Sequence, residues 1–264
     1  MTIAGATSKR ISLGDLDVAY LEAGEGEPLI LLHGGLATAE ASWGHAMPRL
    51  ARGWRVLAPD SRGQGGTSNP ADHLGYDQMA DDVAAFIAAL GIEKPVIAGY
   101  SDGAQIGIEF GLRHPGMARA MVLGGVITRP TPAYVEGLKS WGYPAAGEVD
   151  YRQLEETFGD FLGFIKTAHG RGDPDYWQRL MPQISRLWHT VPAYADAQLA
   201  SIGVPTLVLS GDRDHLAGLD EPRRLLDTLP DAELAVVPGA GHDAIDRPIF
   251  WDLVEEFLAR RVRG

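Results

Sequence analysis

The spacing of apolar and polar positions changes several times along the chain, and each change marks an element. Leu16, Val18 and Tyr20 alternate with polar or small residues beyond a Gly14-Asp15 turn, so residues 9–13 and 16–22 read as two antiparallel strands. From Pro28 onward the strand pattern is unbroken rather than alternating. Residues 28–32, 55–58, 95–99, 120–123, 205–210 and 233–237 form short apolar runs, as expected of strands covered on both faces of a parallel sheet. Helical spacing fills the intervals at 39–52, 77–90, 103–113, 221–229 and 248–263. Strands and helices in alternation predict an α/β fold. Its sheet is open, mostly parallel and eight-stranded, with helices on both faces and function at the carboxyl ends of the strands.

The alternation stops between about 128 and 199. No buried strand is visible there, whereas 134–141, 151–168 and 174–188 have helical spacing and carry Trp141, Trp177, Trp188 and other aromatics. This segment is expected to be a helical cap inserted into the sheet. The division is therefore 1–127 and 200–264 for the core and 128–199 for the cap.

Chemistry concentrates at Gly99-Tyr100-Ser101-Asp102-Gly103, where an apolar run gives way to helical spacing. A serine between two glycines at a strand-to-helix junction has the G-x-S-x-G form of a nucleophile elbow. A glycine-tolerant turn holding an idle serine gives the same pattern, so context decides. A serine hydroxyl needs a base, and eight histidines compete for that role. Only His242 lies in a glycine-rich loop, Gly239-Ala240-Gly241-His242, directly after the last expected strand. His33, at a strand end, suits a structural hydrogen bond better. The acid that orients the base should follow a strand and lie between serine and histidine in the chain. Gly211-Asp212-Arg213-Asp214 supplies two candidates, and Asp214 is preferred because the second acid reaches farther from the strand end. Chemistry on a carbonyl also needs N–H donors for the developing oxyanion. The backbone of Asp102 offers one and Gly35, after His33-Gly34, offers the other, with Leu36 as the alternative. Leu36, Trp141 and Trp177 are further candidates for the walls of a substrate pocket.

Composition narrows the partners. Asp and Glu number 35 against 23 Lys and Arg, and the net charge of -12 opposes nucleic-acid backbones and anionic lipid. The basic cluster Arg260, Arg261 and Arg263 is expected to complement the end of a helix dipole. There is no cysteine, hence no thiolate metal site and no disulfide, which suits the cytoplasm. No signal-like start or membrane-length apolar stretch is visible. No cofactor or metal is implied, the expected partner is a small ester-like molecule, and a homodimer stays open.

With these residues placed, the chain resembles the α/β-hydrolase superfamily over nearly its whole length. The likeness rests on His33-Gly34-Gly35, Asp60-x-Arg62-Gly63-x-Gly65, Gly99-x-Ser101-x-Gly103, Gly211-x-x-Asp214 and Gly241-His242. Ser-Asp-Gly at the elbow and the tryptophan-bearing cap resemble the biphenyl hydrolase-like group that includes valacyclovir hydrolase. In that group the acid after the nucleophile recognises a substrate amino group, a role the resemblance would give Asp102; an acid favoured by the helix dipole is the other reading. The resemblance implies a serine hydrolase of the carboxylesterase kind, cleaving a small or medium ester through an acyl-serine. The alternatives are a carbon-carbon bond hydrolase or lactonase, or a non-hydrolytic ligand receptor on the same fold.

Overall fold

The structure is a computed structural model that describes residues 3–262. Strands β1 (Ala6–Leu13) and β2 (Leu16–Ala23) form the expected hairpin, with Leu13 opposite Leu16. Six parallel strands follow: β3 (Pro28–Leu32), β4 (Arg55–Pro59), β5 (Val96–Tyr100), β6 (Ala120–Gly124), β7 (Thr206–Gly211) and β8 (Ala232–Val237). The eight strands make one sheet in the order β1-β2-β4-β3-β5-β6-β7-β8, in which β2 runs antiparallel to both of its neighbours.

Alternate residues of the central strands feed two separate apolar layers, which is why their sequences are apolar throughout. Ile30, Leu32, Ile97 and Leu123 face one layer, together with α3 (Tyr76–Ala89) and α4 (Asp102–Arg113). Leu29, Leu31, Val96 and Ala98 face the other, packed by Trp43 of α1 (Ala39–Trp43), α2 (Met47–Leu50) and residues 248–261. The helix expected over 39–52 is thus two short helices. Gly44 closes the first, and Pro48, with no N–H to give, sits in the first turn of the second.

Between β6 and β7 lie α5 (Pro132–Ser140), α6 (Tyr151–Phe158), α7 (Asp160–Ala168), α8 (Tyr176–His189) and α9 (Asp196–Leu199). The single helix expected over 151–168 breaks at Gly159, whose φ of 45° interrupts the helical path. The four-residue α9 is too short to leave a periodic signal. After β7 come α10 (Asp220–Thr228) and α11 (Pro248–Arg261). Arg260 and Arg261 do more than face a helix end. They form ion pairs with Glu233, Glu256 and Asp231, while Arg263 lies outside the described residues. No described helix is long and apolar enough to cross a membrane.

Strand order reverses at β3, which has β4 on one side and β5 on the other. The loops leaving β3 and β5 therefore diverge to opposite faces and open a crevice between them. This brings Gly34 against Ser101: a Cβ on Gly34 would lie 3.4 Å from that of the serine.

Candidate active site

Ser101 follows β5 and caps α4 with φ 54° and ψ -119°, a backbone conformation that ordinary side chains avoid. Close packing imposes it. A Cβ on Gly99 would fall 2.1 Å from the carbonyl oxygen of Gly103, and one on Gly103 would fall 1.9 Å from that of Leu32. Both glycines of the motif are thus required by backbone approaching backbone.

Beside the serine, His242 Nε2 lies 2.9 Å from Ser101 Oγ, and its Nδ1 lies 2.8 Å from Asp214 Oδ2. The other Asp214 oxygen accepts the N–H groups of Leu216 and Ala217. Burial works against the Asp214 charge, but the His242 hydrogen bond and charge and the two N–H groups outweigh it, holding the carboxyl below its ordinary pKa. An ionised Asp214 fixes the proton on Nδ1 and leaves Nε2 to accept the hydroxyl proton. Asp212 is engaged elsewhere, accepting the Gly239 N–H at 2.6 Å.

Among the described residues no acceptor is found for the N–H groups of Gly35 and Asp102. Leu36, the alternative donor, is already committed: its N–H reaches Gln64 Oε1 at 2.6 Å. Its carbonyl faces His169 Nε2 at 3.2 Å, and its φ is 60°. Leu36 is thereby held from two sides and contributes its side chain to a cavity wall instead. His33 does take a structural role, its Nε2 accepting the Ser61 N–H.

Two cavities meet at Ser101 and His242, and Trp141 and Trp188 border both. The outer cleft, about 550 Å³, is walled by Leu36, Phe158, Phe161 and Ile245, with Asp243 and Asp246 on its rim. The inner cavity is far smaller, about 30 Å³, and runs past Asp102, Gln105, Tyr76 and Tyr134. Trp177 belongs to neither. It packs edge-on to Tyr151 under the Lys166 ammonium, so its expected place in the pocket wall is corrected: the turn of α8 that carries it faces α6 and α7.

The Asp102 carboxylate is buried and accepts the Tyr76 hydroxyl at 2.9 Å and Trp188 Nε1 at 2.9 and 3.0 Å. Burial raises its pKa against the lowering effect of these two donors. Tyr76 and Gln105 are functional candidates that the sequence reading did not place at the site, whereas Trp188 stood among the aromatics expected in the cap. For Gln105 a signal existed, since residues 101, 102 and 105 share one face of α4.

The family model for the alpha/beta hydrolase fold matches residues 27–247. The chain is similar to the 2-hydroxymuconate semialdehyde hydrolase of Pseudomonas sp. (strain CF600), 32% identical over 90% of this chain and 89% of that one. It is also similar to the 2-hydroxy-6-oxo-2,4-heptadienoate hydrolase of Pseudomonas putida, 29% identical over 98% and 99%. Among solved structures, the meta-cleavage product hydrolase CumD of Pseudomonas fluorescens IP01 superposes with a TM-score of 0.78 at 27% identity, over 96% of this chain and 97% of that one.

Proposed function

We propose, for a chain that belongs to the alpha/beta hydrolase fold family and is a hydrolase, that it opens a bond beside a carbonyl carbon through an acyl-serine on Ser101. The observation that carries this reading is the continuous hydrogen-bonded path Ser101–His242–Asp214 at a strained elbow. In it, Ser101 Oγ attacks the carbonyl carbon as His242 Nε2 takes its proton, and Asp214 stabilises the imidazolium. The N–H groups of Gly35 and Asp102 receive the oxyanion. The imidazolium returns its proton to the departing group, and water then cleaves the acyl-serine to a carboxylic acid by the same steps.

The activities of the relatives support a carbon-carbon bond as the one cleaved, in a conjugated keto acid. A carbanion can depart only where the substrate delocalises its charge, and a conjugated ketone does so. Asp102, Asp243 and Asp246 favour a second reading, ester hydrolysis, because three acids bordering the cavities disfavour an anionic dienoate and suit a neutral or cationic ester. Side-by-side turnover of a 2-hydroxy-6-oxo-dienoate, followed by loss of its dienol absorbance, and of phenyl esters, followed by phenol release, separates the two. Faster dienoate cleavage supports the first and the opposite order the second. Turnover of both by a Ser101→Ala variant at the wild-type rate refutes the acyl-serine.

A further inference from the structure

The inner cavity holds one polar atom that the fold leaves unused. Gln105 is 3% exposed, on the turn of α4 that follows Ser101, and lines this cavity. Its Oε1 faces the backbone N–H of Ile127 at 3.3 Å, which fixes the amide orientation, since a reversed amide would set donor against donor. Gln105 Nε2 is left buried with no acceptor among the described residues. A buried donor without a partner is destabilising, so its retention in a cavity wall beside the nucleophile asks for a ligand atom.

We propose that the inner cavity is a subsite for a small uncharged polar group, a hydroxyl or carboxamide, whose oxygen accepts from Gln105 Nε2 while its own hydrogen is given to the Asp102 carboxylate. Both neighbours restrict the choice. An ammonium group would leave Gln105 unpartnered, and a carboxylate would face Asp102. The size is restrictive too: about 30 Å³ admits about two water-sized groups, so only two or three heavy atoms enter while the bulk of the substrate occupies the outer cleft. The inference rests on Ser101 as the nucleophile and deepens that reading by naming what one side of the substrate carries.

Phenyl glycolate and phenyl propionate differ by a hydroxyl in place of a methyl, and their aryl group fits only the outer cleft. After correction for their rates with hydroxide, kcat/KM for the glycolate should exceed that for the propionate by at least tenfold. Gln105→Met, of similar volume, should shrink that ratio at least fivefold; general damage to the fold would lower both esters together and preserve it. A ratio near one in the wild type, or a ratio unchanged in the variant, overturns the proposal. If neither ester turns over, ester cleavage fails while the subsite is still decided by calorimetry of methyl glycolate and methyl propionate binding to Ser101→Ala. Tighter methyl glycolate binding that weakens at least fivefold when Gln105→Met is added supports the subsite, and equal binding of the two methyl esters overturns it.

Discussion

His169 gives the protein an acid-sensitive joint. It is 2% exposed at the end of α7, with Nδ1 accepting the Gly65 N–H at 2.8 Å and Nε2 facing the Leu36 carbonyl. That arrangement requires a neutral imidazole with its proton on Nε2, because a proton on Nδ1 would oppose the Gly65 N–H. Burial accordingly pushes its pKa down from 6.5 to about 4. In the unfolded chain the ordinary value applies. Between these limits the unfolded state binds a proton that the folded state refuses, so this group's contribution to stability is present above pH 6.5 and is lost as pH falls toward 4. The gap of roughly 2.5 pH units, at about 1.4 kcal/mol each, gives about 3 kcal/mol in full and roughly 2 kcal/mol between pH 7 and 4.5. Urea unfolding at these two pH values, for the wild type and for His169→Gln, isolates the effect from titrating carboxylates common to both. The wild type should lose about 2 kcal/mol more than the variant. Equal losses would show that His169 is protonated in the folded protein and that the joint is not acid-sensitive.

Other outcomes follow from the site. Ser101→Ala should lower kcat on the order of 10⁴-fold with the circular dichroism spectrum unchanged; a smaller loss than tenfold removes the serine from the chemistry. Asp214→Asn should cost roughly 10⁴-fold in kcat, and Asp212→Asn less than about tenfold, because only the first leaves His242 in the wrong tautomer; steady-state kinetics would expose the reverse ranking. Gly103→Ala should destabilise the fold by about 3 kcal/mol or more, read by thermal melting, since its Cβ would fall 1.9 Å from the Leu32 carbonyl oxygen.

The elbow, the histidine loop and the Asp212–Asp214 turn were legible in the sequence because each depends on residues adjacent in the chain. Gly99 and Gly103 bracket Ser101, and Gly211 and Gly241 mark the turns that carry Asp214 and His242. The sequence preferred Asp214 to Asp212 and Gly35 to Leu36, but what occupies the other groups needed coordinates: Gly239 and Gln64 come from distant segments to bind Asp212 and Leu36. Tyr76, and the tie of Trp188 to Asp102, escaped the sequence reading for the same reason, as the two side chains meet Asp102 across 26 and 86 residues. Trp177 shows the converse limit. Helical spacing places an aromatic on a face, and only packing tells whether that face meets a ligand or another helix.

The tie between Trp188 and Asp102 bears on how this enzyme can be altered. Asp102 follows Ser101 in the chain and its N–H has no acceptor among the described residues, yet its carboxylate is clasped by an indole from α8. Tyr134 of α5 in turn donates to the carbonyl of Trp188. The stretch between β6 and β7 is therefore not a detachable module. A chimera that imports this stretch from a relative without a donor at position 188 would strand a buried carboxylate one residue from Ser101. Substrate range and the integrity of the elbow must change together, and directed evolution of either calls for libraries that vary residues 102 and 188 as a pair.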